Sequence, residues 1–181
     1  STTPVSTGPL RSAGACAVDT GVVDGTRVYW ASQVSRSVRA APLDALPGGG
    51  AVLAADIGSI SLLALDGADV FLTQFGDEGG LWRVSKSGGD AVKLMELPNA
   101  NAVAVAGDMV CVTTFFGGTA EEVVDCVGKD GNGRLRIADA REQPTGMVSR
   151  GDRLYWGELG LGAIVTGAPF GATSILVDGQ D

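Results

Sequence analysis

Histidine is absent from the 181-residue chain. Imidazole is the commonest general base and the commonest metal ligand in proteins. Its absence excludes the Ser-His and Cys-His couples of nucleophilic enzymes and every metal site that needs a histidine. Cysteine is scarce as well, and no two of Cys16, Cys111 and Cys126 have the C-x-x-C spacing of a zinc site. We therefore predict no catalytic residue, metal ligand or cofactor.

Basic residues and long apolar runs are also in short supply. Lys and Arg number 13 against 21 Asp and Glu, which gives a net charge of −8 at pH 7. This charge repels polyanions, so nucleic acid and acidic membrane surfaces are poor partners. Asp66, Asp108 and Asp152 interrupt the longest apolar stretches, and none reaches the roughly 18 residues of a membrane-spanning helix. We expect no nucleic-acid partner and no membrane insertion.

The chain does contain many apolar residues (45%) and 28 glycines, which separate short apolar runs. This composition suffices for one compact core, and the glycines indicate turns. The opening segment, residues 1–9, is rich in Ser, Thr, Pro and Gly and begins without methionine. We expect residues 1–13 to be flexible and the protein to be exported to the periplasm, the cell surface or the extracellular space.

A turn followed by a short strand recurs four times along the chain. Glycine in a polar turn precedes an apolar strand in each copy, and the copies are Asp24–Trp30, Asp66–Leu72, Ala106–Val112 and Arg150–Trp156. One strand position recurs every 40 to 44 residues, at Val28, Val70, Val110 and Leu154. A second position recurs every 40 to 43 residues, at Val52, Val92, Leu135 and Ile175. Two concordant phases indicate a structural repeat of about 42 residues.

Each repeat holds four short β-prone runs and shows no sustained helical period. Four short antiparallel strands in a repeat of this length are typical of one blade of a β-propeller. Blades are covered on both faces, which explains nearly continuous apolar runs such as Ser61–Leu65. The predicted fold is all-β: a β-propeller domain of four four-stranded antiparallel blades over residues 14–181, with blades at about 14–57, 58–98, 99–143 and 144–181.

The second strand of each unit resembles the YWTD repeat of low-density-lipoprotein-receptor class B propellers. The segments that carry this resemblance are Tyr29–Ser32, Phe71–Gln74, Cys111–Thr114 and Tyr155–Glu158. Similarity extends to the Asp-Gly turn before the strand and covers about residues 14–178. It implies extracellular protein recognition more than catalysis.

Cys111 and Cys126 are the pair of side chains that the repeat brings together. If the second and third strands of the third unit fold back over Gly118 and Thr119, the two cysteines face each other directly. In an oxidising compartment they would form a disulfide at a non-hydrogen-bonded pair, whereas in the cytosol both would stay buried thiols. We predict a Cys111–Cys126 disulfide in an exported protein, with Cys16 free.

Two further features fit structural roles better than chemical ones. The repeated aromatic residues could form an exposed platform but are expected to wedge between neighbouring sheets, and they are Tyr29, Trp30, Tyr155 and Trp156. The tripeptide Arg150-Gly151-Asp152 has the sequence of an integrin ligand. It occupies the turn that the other units fill with glycine and an acid, so a turn role is expected.

Acidic segments are predicted to be ordinary turns and links. The loop Lys129–Gly133 offers oxygen donors but lacks the alternating acids and distal Glu of a calcium loop, so a tight hairpin turn is expected. The pairs Asp77-Glu78 and Glu121-Glu122 lie in links between strands, where solvated charge is expected.

Three functions remain open on the sequence. The favoured one is a non-catalytic binding or scaffold module that recognises a protein or carbohydrate partner through the rim loops. A second is a metal-dependent propeller hydrolase or lyase with a carboxylate-lined central site. Its candidate acids also fit turn roles, and they are Asp24, Asp66, Asp108 and Asp152. The third is a structural subunit of a larger assembly.

The chain supplies four blades without a spare strand to join the first blade to the last. We favour a closed monomeric ring, with residues 1–9 beside the last blade. The alternative is an open ring whose first and last blades expose apolar faces and pair in a homodimer.

Overall fold

A computed structural model describes residues 20–45, 50–115, 122–139 and 143–179. These residues form sixteen strands and two short 3-10 helices. The strands make four separate four-stranded antiparallel sheets, and in each sheet the strands follow one another in chain order. The predicted β-propeller of four blades is therefore confirmed.

Each blade contains four consecutive strands, numbered along the chain. Blade 1 consists of β1 (Thr20–Val23), β2 (Arg27–Ser32), β3 (Ser37–Pro42) and β4 (Ala51–Ala54). Blade 2 consists of β5 (Ile60–Asp66), β6 (Asp69–Gln74), β7 (Gly80–Ser85) and β8 (Val92–Glu96). Blade 3 consists of β9 (Ala100–Ala106), β10 (Met109–Thr114), β11 (Val124–Gly128) and β12 (Leu135–Ala138). Blade 4 consists of β13 (Pro144–Arg150), β14 (Arg153–Glu158), β15 (Ala163–Gly167) and β16 (Ser174–Val177). The 3-10 helices span Leu43–Ala45 and Leu159–Leu161.

The turn between the first two strands of each blade requires a left-handed backbone. Gly25 in blade 1 has a φ of 50° and Gly151 in blade 4 has a φ of 64°. Residues with a Cβ rarely adopt a left-handed backbone, whereas glycine does so without steric cost. The repeat therefore keeps glycine at this place.

Apolar side chains on alternate faces of a strand pack against different neighbours. In β6, Leu72 belongs to the cluster shared with Tyr29 of blade 1, whereas Phe71 belongs to the cluster shared with Val110 of blade 3. A third cluster joins blade 3 to Trp156 of blade 4. Because a strand alternates its side chains between two faces, an inner blade must be apolar on both. This explains the continuous apolar runs in the sequence.

The four blades form an open arc. β1 packs against β5, β5 against β9, and β9 against β13. No comparable contact joins β13 to β1 among the residues that the structure describes. Val23 of β1 and Val148 of β13 accordingly remain 62% and 65% exposed. Among the described residues the expected closed ring is therefore wrong, because the first strands of blades 1 and 4 do not pack against each other as those of successive blades do. The choice between monomer and homodimer stays a prediction.

The structure contains the predicted disulfide. Cys111 of β10 and Cys126 of β11 are direct cross-strand partners, and their sulfur atoms are bonded with a Cα separation of 4.0 Å. This separation fits the narrow, non-hydrogen-bonded class of antiparallel pair. Both residues are fully buried between blades 3 and 4.

Several expectations concern residues outside the described part of the chain. These are the flexible segment 1–13, the free Cys16 and the turn at Gly118 and Thr119. Within the described residues, no helix has the length and apolar character needed to cross a membrane.

Candidate functional site

The strand order gives the arc two rims with different loops. The links between second and third strands and the links between blades lie at one end, called here the loop rim. Its described segments are 33–36, 55–59, 75–79, 97–99, 115, 122–123, 139, 143 and 159–162. The hairpin turns between first and second strands and between third and fourth strands lie at the other end, called here the turn rim. Because a strand enters at one rim and leaves at the other, the two rims carry separate surfaces.

Apolar side chains recur at one position of the loop rim. Phe75, Phe115 and Leu159 each follow the second strand of their blade, and each donates its backbone N–H to the carbonyl oxygen of the link before that blade, at Ser59, Asn99 and Gln143. Phe75 is 41% and Leu159 is 59% exposed, and Phe115 is half-buried. Val34 adds an exposed side chain from blade 1. We call Val34, Phe75, Phe115 and Leu159 the apolar crown.

The loop rim also holds the strained backbone of the molecule. Among the described residues, the non-glycine residues with a left-handed φ are Arg36, Asp56, Asn99 and Gln143. All four lie in links of the loop rim, with φ between 47° and 59°. Such conformations cost on the order of 1–3 kcal/mol each and persist where the surrounding structure holds them, often at functional sites. The turn rim has glycine at its left-handed positions.

A cleft of about 610 Å³ opens at the loop rim beside Phe75. Its polar lining consists of hydroxyl and amide side chains, and these belong to Gln33, Ser59, Ser61, Asn101 and Thr145. None of the described residues that line it has a charged side chain. An uncharged cleft with hydroxyl, amide and aromatic groups suits neutral polar ligands or a peptide backbone.

Two of the four repeated acids bind lysine at the turn rim. Lys86 of blade 2 lies 3.0 Å from Asp24 of blade 1, and the Tyr29 hydroxyl donates to the same carboxylate oxygen at 2.8 Å. The hydrogen bond from Lys86 and then the one from Tyr29 lower the pKa of Asp24 to about 2. Burial, followed by the bond to Asp24, raises the pKa of Tyr29. This arrangement recurs one blade later, where Lys129 lies 2.6 Å from Asp66.

The candidate acids are therefore not brought together into one central site. Asp24 and Asp66 pair with lysines across two different blade joints, while Asp108 and Asp152 lie exposed in the turns of blades 3 and 4. In the part of the chain that the structure describes, no group of three or more Cys, Asp or Glu could hold a metal ion. Sequence reasoning missed the two lysines, although Lys86 and Lys129 stand at the same position of the repeat.

The remaining sequence candidates take structural positions. Tyr29, Trp30 and Trp156 are buried, as expected of residues that wedge between sheets, and Tyr155 is half-buried. Asp130 accepts hydrogen bonds from the backbone and side chain of Asn132 in a tight turn. These bonds lower the pKa of Asp130.

Three acids are buried in ways that the sequence did not reveal. Glu122, expected to be solvated, is 8% exposed and accepts a hydrogen bond from the backbone of Gln143. This contact ties the link of blade 3 to the start of blade 4. Asp125 is fully buried and pairs with Arg136 of the neighbouring strand β12 and with Arg134, the residue just before that strand. A buried carboxylate is tolerated because these partners satisfy it.

Glu158 is also buried, at 1% exposure. Its carboxylate accepts a hydrogen bond of 2.7 Å from the indole nitrogen of Trp156. The partner lies only two residues away on the same strand face, but the pattern of a single sequence does not show that this acid is buried.

Comparison with known proteins supports the fold. No family model matches the chain, and no curated protein matches it. Among solved structures it is similar to a nidogen/laminin complex, with 16% identity over 86% of this chain and 77% of the other, at a TM-score of 0.60. Regucalcin from Agrobacterium tumefaciens has 15% identity over 89% and 59% of the two chains, at a TM-score of 0.64.

A third similar structure is a gluconolactonase from Xanthomonas campestris, with 21% identity over 81% of this chain and 56% of the other, at a TM-score of 0.62. These structures are β-propellers. The chain spans 59% and 56% of the length of the last two. At these identities the similarity shows the fold alone, and the resemblance to YWTD repeats stays a prediction.

Proposed function

We propose that this chain is a binding module that recognises a protein partner through its loop rim. The apolar crown carries the proposal: Phe75, Phe115 and Leu159 stand at the same position in blades 2 to 4, Val34 adds an exposed side chain from blade 1, and all four lie on the loop rim. Exposed apolar patches rimmed by polar groups mark interaction sites on soluble proteins. Aromatic side chains in particular form the energetic centres of protein interfaces.

The geometry of the loop rim favours a protein over a small molecule. The crown residues extend from blade 1 to blade 4, and one of them, Phe75, lines the uncharged cleft, so a ligand that covers them all must be extended. Three crown residues are held in place by backbone hydrogen bonds to the links Ser59, Asn99 and Gln143. Two of these acceptors, Asn99 and Gln143, have a left-handed φ. A surface fixed before binding loses little conformational entropy when the partner arrives.

Two further observations are consistent with this function. One of the similar structures is a complex of two proteins, nidogen and laminin. The Cys111–Cys126 disulfide fits an oxidising compartment, since such bonds are rare in proteins of the cytosol. We therefore propose that the protein is exported and meets its partner outside the cytosol.

A pair of matched variants tests the proposal. Leu159 in the crown and Leu176 on the outermost strand β16 are almost equally exposed, at 59% and 57%. Leu159→Ser should reduce the amount of partner captured from the extracellular proteins of the source organism at least tenfold, whereas Leu176→Ser should leave it unchanged. Equal capture by both variants would contradict the proposal. Loss of capture after periodate oxidation of the extract would indicate a carbohydrate partner instead.

The alternative function is a metal-dependent hydrolase or lyase with a central carboxylate site. It draws support from the similarity to a gluconolactonase. Titration calorimetry with Ca²⁺ and Mg²⁺ separates the two functions. Stoichiometric metal binding that depends on Asp108 or Asp152 would support the alternative, whereas the binding module needs no metal.

A further inference from the structure

The same ionic contact bridges two of the three joints between successive blades. At the first joint Lys86 of blade 2 contacts Asp24 of blade 1, and at the second joint Lys129 of blade 3 contacts Asp66 of blade 2. Each aspartate starts the turn between first and second strands, and each lysine follows the third strand of the next blade. The ammonium group thus bridges two blades on the turn rim.

Strand register identifies the residues that hold these positions at the third joint. Val84 and Val127 are the partners of Val70 and Val110, and the lysines lie two residues after them. In blade 4 the corresponding partner of Leu154 is Gly167. The lysine position of blade 4 is therefore occupied by Pro169.

Blade 3 lacks the aspartate as well. The residue that starts its turn is Ala106, in the place of Asp24 and Asp66. Both members of the ionic contact are therefore replaced by small or apolar residues at the third joint. A cleft of about 530 Å³ opens there, and Ala106 and Pro169 both line it.

The cleft retains the chemistry that binds an ammonium group. Asp108 and Asp152 line it from the turns of blades 3 and 4, together with Phe170, which is 86% exposed. The two turns touch, since the Gly107 N–H donates to the Gly151 carbonyl at 3.2 Å. Within the described residues, neither carboxylate has a basic partner. An exposed phenylalanine beside two unpaired carboxylates attracts a cation through both charge and ring.

The first joint shows this combination in use. There the ammonium of Lys86 lies 3.0 Å from the Asp24 carboxylate and 5.2 Å from the centre of the Tyr29 ring. The fold thus holds a lysine with one carboxylate and one aromatic ring at the equivalent place. The net charge of −8 favours a cationic ligand further.

From these contacts we propose that the cleft at the third joint binds a lysine side chain of a protein partner. The ammonium is received by Asp108 and Asp152, and the aliphatic stem lies along Phe170. This site lies on the turn rim, so it is independent of the apolar crown and does not rest on the function proposed above.

NMR titration tests the site with two small probes, N-acetyl-lysine methylamide and the uncharged N-acetyl-norleucine methylamide. The lysine probe should shift the amide signals of Asp108, Asp152 and Phe170 saturably, with a dissociation constant on the order of millimolar, and the norleucine probe should not. Equal shifts with both probes, shifts confined to other residues, or no shift at all would overturn the proposal.

Two variants make the test specific. Asp108→Asn combined with Asp152→Asn should weaken the lysine response at least tenfold while the other signals keep their positions. Ala106→Asp combined with Pro169→Lys rebuilds the ionic contact of the other joints and should abolish the response, because the new lysine occupies the cleft. An unchanged response in either double variant would contradict the site.

Discussion

Removing the Cys111–Cys126 disulfide tests how far this covalent link stabilises the arc. The bond closes a loop of fifteen residues of sequence separation between β10 and β11. In the chain-entropy description, a crosslink over a loop of this length restricts the unfolded chain by about 3 kcal/mol. Cys111→Ala combined with Cys126→Ala should therefore lower the free energy of unfolding by about 3 kcal/mol. The free energy of unfolding of the double variant should fall slightly further than this, because two buried sulfur atoms are removed from the cluster between blades 3 and 4.

Urea unfolding of the double variant, of the reduced protein and of the oxidised protein measures this loss. For a chain of this size, a loss of about 3 kcal/mol corresponds to a fall in Tm of roughly 6–12 °C. Cys16→Ala is the matched control, because we expect this cysteine to be free, and its stability should not change. A loss below about 1 kcal/mol, or identical curves for oxidised and reduced protein, would refute the reasoning.

Three further changes probe individual contacts. Asp24→Asn should weaken the fall of the free energy of unfolding at acidic pH. The pKa of Asp24 in the folded protein, about 2, lies below the ordinary 3.8, so its contact stabilises the fold above pH 4 and is lost as the pH falls through 2. Urea unfolding at a series of pH values measures this change. Trp156→Phe leaves the buried Glu158 without its indole donor and should cost about 1–3 kcal/mol in thermal unfolding, whereas full stability would contradict that bond. Thr73→Val removes the hydroxyl that accepts from the Leu62 backbone and donates across the second joint; we expect a loss of about 1–2 kcal/mol in urea unfolding, and no loss if the contact is dispensable.

The repeat made most of the fold predictable. Two phases of apolar residues indicated four four-stranded blades, and the symmetry of one hairpin placed Cys111 opposite Cys126. Both inferences depend on local rules, namely the alternation of strands and the geometry of a turn. Such rules act within one blade and need no knowledge of its neighbours.

Contacts between blades were less accessible. The pairing of Lys86 with Asp24 depends on which turns meet at a joint, and the burial of Asp125 depends on arginines that the next strand of the folded sheet brings beside it. The prediction of a closed ring was wrong for the same reason, because the inclination of successive blades is set by packing between sheets. The crown was visible in principle, since Phe75, Phe115 and Leu159 share a repeat position, but the rim that they occupy follows from the strand order of the folded chain.

Site-specific photocrosslinking tests the central claim, recognition of a protein by the loop rim, most directly. Benzoylphenylalanine placed at Phe75 in the crown, and in a second preparation at Val92 on β8, samples two sites of similar exposure, 41% and 46%. Irradiation with the extracellular proteins of the source organism should give a covalent protein adduct from position 75 and none from position 92. An adduct from position 92 alone, or equal adducts from both positions, would contradict binding through the loop rim.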